Sequence, residues 1–288
     1  MVAGRTLDSQ TAARRAAHHV TEMEVVRVTA EDPDQLRAAI AAHTVRAALV
    51  VDEPWATRTL RAEGIPALHL YADAAPTVVP VEADLRMAHR PTWYEDTADL
   101  SRGVTPVASF APARRGWSGK RKGALVAFGT GTAGTADVLD AARRALLPLL
   151  PRLTEAAEGP CTVVCDGPVD ELRALAADVT DTTVLDTADC DLDELHSGCG
   201  VFTATPTLAA LTLARGRGAP LTLLPALDDI QQDLLDKVTK AVPVPVCTAP
   251  DAWTVPAGID WAVSDSDDDL SGAQRVARKL RQLVLAPV

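Results

Sequence analysis

Three clusters of small polar residues follow apolar runs in the second half of the chain. Gly129-Thr130-Gly131-Thr132 comes after GALVAFG, Thr203-Ala204-Thr205-Pro206-Thr207 closes GVFTAT, and Asp228, Asp229, Gln231 and Gln232 follow LTLLPA. Glycines let backbone N–H groups approach a phosphate, and threonine hydroxyls add donors. Pro206 pre-sets a first helical turn whose free amides favour an anion. Carboxylates and amides at the third position can bond sugar hydroxyls. Each cluster also has a plainer reading: a flexible turn, a helix cap by Thr205, or acids at Asp228 and Asp229 that complement a helix dipole. In the first half, Asp52 and Glu53 end an apolar run. A carboxylate there can deprotonate an acceptor hydroxyl, or simply cap the helix that Pro54 begins.

These residues need elements to hold them. Apolar runs at 24–30, 46–53 and 65–73 predict strands, and 8–20, 32–43 and 54–64 predict helices, with Asp8 or Ser9 capping the first and Asp32 the second. Residues 74–121 break the alternation with prolines and read as a last strand or two, then a basic linker. It resumes with strands at 123–129, 161–167, 182–188, 200–205 and 219–226. Helices are predicted at 131–150, 169–179, 191–198, 206–216, 228–241 and 268–284. Continuous apolar strands alternating with helices predict a parallel sheet covered on both faces, so the class is α/β. Ligands of such sheets sit beyond the carboxyl ends of the strands, where all the residues above lie.

Composition narrows the function. The chain has 288 residues, enough for two ordinary domains, and 47% of them are hydrophobic, which excludes wholesale disorder. A net charge of −11 argues against nucleic acid as a partner. No apolar run approaches the ~20 residues of a membrane span, and the first residues lack a signal-peptide core. A cytoplasmic protein is expected. Five cysteines, Cys161, Cys165, Cys190, Cys199 and Cys247, with no metal-ligand spacing and no histidine cluster, read as free, mostly buried thiols, and no metal is expected. The glycine turn is neither GxGxxG nor a Walker loop, so a dinucleotide oxidoreductase is disfavoured.

The segment CGVFTATPTLAALTLARGRGAPLTLLPALDDIQQDLLDKV (199–238) is similar to the late signature of GT-B glycosyltransferases. There, a strand leads to a threonine-rich turn and helix, and a second strand ends in Pro before acids and Gln that hold a donor sugar. The turn Gly129–Thr132 resembles the early loop of the same lobe, and TTVLDTA, with Asp186, matches the strand edge that receives the nucleobase. The resemblance implies two Rossmann-like lobes of GT-B type: a small or truncated acceptor-side lobe at 1–115, a nucleotide-sugar lobe at 122–268, and a terminal helix at 269–288 that crosses back. It implies a sugar nucleotide as substrate, UDP-linked, a small-molecule acceptor, Asp52 or Glu53 as base, and catalysis by positioning without a metal or other cofactor. Bacterial specialised metabolism of the antibiotic kind, in the style of cytosylglucuronate synthases, is the implied setting.

Two departures cut against turnover. The glutamate that clamps the ribose in that family falls in register on Ala210, and the chain opens at Val2-Ala3-Gly4 without the N-terminal histidine base. His18 and His19 lie well along the first helix. The alternative is therefore a catalytically degenerate relative that acts as a binding or partner subunit. A homodimer or another protein partner is left open.

Overall fold

The computed structural model describes residues 1–21, 23–29, 31–74, 81–91, 103–113, 120–256, 258–261 and 270–285. The chain divides into two compact units: Met1–Gly4, Ser9–Ala111 and Asp267–Val288 form one, and Arg5–Asp8 with Pro112–Ser266 forms the other. Each holds a five-stranded sheet in which every strand pair is parallel, so the class is α/β as the apolar runs imply.

In the first unit the strands are β1 (Val2–Ala3), β2 (Ala48–Val51), β3 (Ala67–Tyr71), β4 (Leu85–His89) and β5 (Thr105–Val107), in that spatial order. Helices α1 (Leu7–His18), α2 (Pro33–Ala42) and α3 (Pro54–Ala62) connect the early strands. Side chains alternate across the sheet. Leu49, Val51, Leu68, Leu70 and Met87 pack with Ala12, Ala13 and Ala16 of α1. Ala48, Val50 and Ala67 pack on Leu36, Ala56 and Leu60 of α2 and α3. Of the run 24–30, where a strand is predicted, the described residues 24–29 contribute a single bridge, Val28 to Val2. Val28 nevertheless lies on the outer side of β1, while β2 lies on the other. The chain thus turns one way and then the other around β1, and Gly4 and Asp52 mark that switch point.

The second unit comprises β6 (Ala124–Phe128), α4 (Thr135–Ala141), α5 (Leu150–Ala156), β7 (Cys161–Cys165), α6 (Val169–Ala176), β8 (Thr182–Asp186), α7 (Leu192–Gly198), β9 (Val201–Ala204), α8 (Leu208–Arg217), β10 (Thr222–Leu223) and α9 (Asp229–Ala241). Its sheet runs β10-β9-β6-β7-β8, so its switch point lies between β6 and β9. The helix predicted over 131–150 is interrupted: Ala142–Leu146 forms a π turn, with Leu147 N donating to Ala142 O. Pro148 explains the break, since it has no N–H to continue the α ladder. Helix α8 is buried on every side from Leu208 to Ala214 and ends at Gly218, whose φ of 57° is the left-handed cap that glycine adopts without strain. The final helix, α10 (Gly272–Leu285), adds Ala273 and Val276 to the core of the first unit.

Candidate functional site

The switch point of the second sheet brings together the three clusters that the sequence singles out. Phe128 ends β6, and Thr205 follows β9. Thr205 Oγ1 donates to Gly129 O at 2.8 Å, and Thr205 N pairs with Ala127 O, so the two turns are tied. Gln231 closes the third side. Its Nε2 donates to Gly129 O at 2.8 Å and its Oε1 accepts from Leu227 N at 3.0 Å. At 3% exposure this side chain holds three segments in place. Gln232 points elsewhere and donates to Asp236 on the exposed face of α9.

The donors of these turns already have acceptors. Thr130 N and Thr130 Oγ1 both donate to Asp166 Oδ1, at 2.6 and 2.8 Å. Thr132 N and Thr132 Oγ1 both donate to Asp228 Oδ2, at 2.6 and 2.8 Å, while Asp228 Oδ1 caps α9 through Gln231 N. Gly131 adopts φ 59°, and a Cβ there would overlap the Asp228 carboxylate, so this approach requires glycine. At α8, Thr207 Oγ1 accepts from Ala210 N, and Asp8 takes the two amides before it: Ala209 N at 2.7 Å and Leu208 N at 3.3 Å. Leu7 N donates to Asp166 Oδ2 at 2.5 Å. Burial pushes the Asp166 carboxyl above its ordinary value, and the hydrogen bonds from Leu7 and Thr130 oppose that shift.

The remaining residues fall around this frame. Asp186 ends β8 and its carboxylate accepts from Ala188 N, two residues on. Asp229 lies in the first turn of α9. Thr203 faces Thr222 across the ladder; both hydroxyls are buried without a hydrogen-bond partner among the described residues. Ala210, at the register of the resembled family's ribose-clamping acid, is fully buried in α8.

Asp52 in the first unit is held firmly. Its Oδ2 accepts from Ser9 Oγ at 2.6 Å and its Oδ1 from Ala72 N at 2.8 Å. Its φ of 54° is left-handed, which Asp tolerates at some cost. Glu53 occupies the N-cap position of α3 but makes no side-chain capping bond, so the helix-cap alternative is not realised. Cys161, Cys165, Cys199 and Cys247 are buried free thiols, and burial pushes Cys161, Cys165 and Cys199 up to about 12. Cys165 accepts from Gly167 N, and the Cys199 and Cys247 thiols donate to the carbonyls of His196 and Ala249. No group of three or more metal-ligating side chains occurs among the described residues.

Asp8 and Asp166 were not singled out as site residues by their spacing. An acid directly after the strand CTVVC was the available signal for Asp166. The sequence leaves the cap of the first helix to Asp8 or Ser9, whereas Asp8 lies inside the first turn of α1 and its carboxylate serves α8.

The model of the CGA synthase-related protein family matches residues 1–288, the whole chain. The chain belongs to this family. No curated protein matches this chain. Among solved structures, this CGA synthase-related protein is similar to MurG of Acinetobacter baumannii, at 14% identity and a TM-score of 0.48, over 98% of each chain. It is similar to the spinosyn rhamnosyltransferase SpnG complexed with thymidine diphosphate, at 16% identity and a TM-score of 0.45, over 96% of this chain and 76% of that one. It is also similar to the glycosyltransferase SnogD from Streptomyces nogalater, at 15% identity and a TM-score of 0.45, over 95% and 75%. No helix among the described residues is long and apolar enough to cross a membrane.

Proposed function

We propose that this CGA synthase-related protein keeps the frame of a sugar-nucleotide transferase but does not transfer sugar by itself, and serves as a binding or partner subunit. One observation carries the reading. The donors of Thr130, of Thr132 and of the first turn of α8 are each taken by a carboxylate of the chain, from Asp166, Asp228 and Asp8. A diphosphate would meet three acids where it needs three sets of free donors, and like charges oppose it. Ala210, in the register where the resembled family has a ribose-clamping acid, points the same way. The partner is another protein or a second copy, in a cytoplasmic setting. Calorimetry with UDP and UDP-sugars tests this. No heat at millimolar ligand is expected; saturable binding with transfer or hydrolysis of the donor would overturn it.

A second reading is favoured by Asp52. A carboxylate fixed by two hydrogen bonds at the switch point of the first sheet, in a backbone conformation that costs free energy, suits a base for a small-molecule acceptor. In that reading the donor is a UDP-sugar lying along Gly129–Thr132, Thr203–Thr207, Asp186 and Asp228–Gln232, and the setting is antibiotic biosynthesis. Loss of transfer in Asp52→Asn with donor binding intact would support it; transfer at the wild-type rate in that variant would remove Asp52.

A further inference from the structure

The first unit encloses a cavity of about 540 Å³ where β1 and β2 begin, at the opposite end of β2 from Asp52. Protein interiors are packed like organic crystals and leave few voids larger than a water molecule, so a space of this size needs a cause. Small side chains are one cause: Ala16 and Ala17 of α1, Ala39 of α2, Ala48 of β2 and Ala277 of α10 all line it. The other is the segment 23–28, which makes a single bridge to β1 and spans the space without filling it. Val20, Ile40 and Leu280 supply larger apolar walls. The ionisable side chains of the lining, Glu24, His43 and Arg46, are all exposed, which puts them at the mouth. Met1 also lines the cavity, and its amine donates to Val26 O at 2.6 Å. Burial, with Arg27 nearby, lowers that amine to about 6, so it is mostly uncharged at neutral pH. The walls therefore offer apolar contact and no buried counter-ion.

We infer that this cavity binds an uncharged, mainly apolar small molecule, whose body lies against the alanines and whose outer end reaches the exposed polar rim. The volume falls within the roughly 300–1,000 Å³ of small-molecule sites. A cavity with apolar walls is poorly hydrated and takes apolar guests, which restore the dispersion contacts that its lining lacks. An ionised guest would leave water and meet no opposite charge inside. The inference goes beyond the partner-subunit reading and does not depend on it, since every lining residue belongs to the first unit.

The test uses the full chain and two dyes that share one aromatic body: uncharged N-phenylnaphthylamine and its anionic sulfonated analogue. Binding is read by the rise in dye fluorescence. Ala39→Leu and Ala17→Leu each put a larger side chain into the cavity from a partly buried helical position. Ala38→Leu adds the same side chain at the next position of α2, on the exposed surface and outside the lining, as a control. The wild type and Ala38→Leu are expected to bind one uncharged dye per chain saturably, and at least about tenfold more tightly than the sulfonated one. Ala39→Leu and Ala17→Leu are expected to weaken that binding at least about tenfold. Should one filling variant fold poorly, the other carries the comparison. No saturable binding by the wild type, undiminished binding in the filling variants, or an equal loss in Ala38→Leu would overturn the inference. Tighter binding of the sulfonated dye would overturn the ligand class. None of these results bears on whether UDP binds the second unit.

Discussion

Two switch points, one per sheet, are built from the same parts and differ in how their polar groups are satisfied. In the second unit, turns after β6 and β9 and the start of α9 converge, and carboxylates take up their donors while Gln231 braces them. In the first unit, Asp52 is itself the acceptor, fixed by Ser9 and Ala72 at the end of β2. The difference teaches where each unit stores its polar cost. The second unit places three acids, Asp166, Asp228 and Asp8, against the amides of turns and of a helix start. The first buries imidazoles within its sheet. His69 of β3 bonds Thr57 through Nδ1 and has a buried Nε2 without a hydrogen-bond partner among the described residues, and His89 of β4 accepts from Phe110 N.

Acid should separate the two units most strongly. Burial lowers His69 to about 4 and His89 to about 3, the latter helped by Arg15 and Arg90. Between the ordinary histidine value and these values the folded first unit binds fewer protons than the unfolded chain. Its stability is therefore full above pH 6.5 and is lost as pH falls through that window, by on the order of 3 kcal/mol for His69 alone. Asp166 runs the other way. Its carboxyl lies above its ordinary value, so the folded second unit holds the extra proton and gains stability as pH falls towards that value. Hydrogen exchange at acid pH, corrected for intrinsic rates, should show β2–β4 losing protection before β6, β7 and β9. The reverse order would break the comparison.

Next in size is the contrast between the two glutamines. Gln231→Ala takes one of two donors from the Gly129 carbonyl, which keeps Thr205 Oγ1, and leaves the half-buried Leu227 amide without its acceptor, and should cost about 2 kcal/mol in denaturant unfolding. Gln232→Ala removes an exposed bond to Asp236 and should stay within about 0.5 kcal/mol. Equal effects would mean that Gln231 does not brace the turns. Asp52→Ala should cost about 1.5 kcal/mol, losing two hydrogen bonds in a left-handed conformation, with Asp52→Gly recovering part of it through the relieved backbone. Asp8→Ala should cost about 1 kcal/mol, the loss of a carboxylate that serves two amides at the start of α8.

Local pattern made the sheets legible. Runs such as ALVAF, CTVVC and ALHLY are buried throughout or nearly so, and their apolar continuity is what a doubly covered parallel strand requires. The three turns were legible for the same reason, since strand ends in such a sheet converge. Local pattern failed where distant chain or a missing N–H intervened. Pro148 broke the long helix at a point that periodicity alone did not mark. Val28 alone reached β1 from a run that reads as a full strand. Above all, the pairing of Asp8 with Leu208 and Ala209 spans most of the chain, and no spacing rule reaches that far. Recognising donors does not reveal whether the chain supplies its own acceptors.

Asp8 already fills the amides at the head of α8. The most direct measurement follows the backbone amide resonances of Thr130, Thr132, Leu208 and Ala209 as UDP is added to the wild-type chain. The account predicts that none of the four moves at millimolar UDP. Saturable shifts of Leu208 and Ala209 together with Thr130 would contradict it.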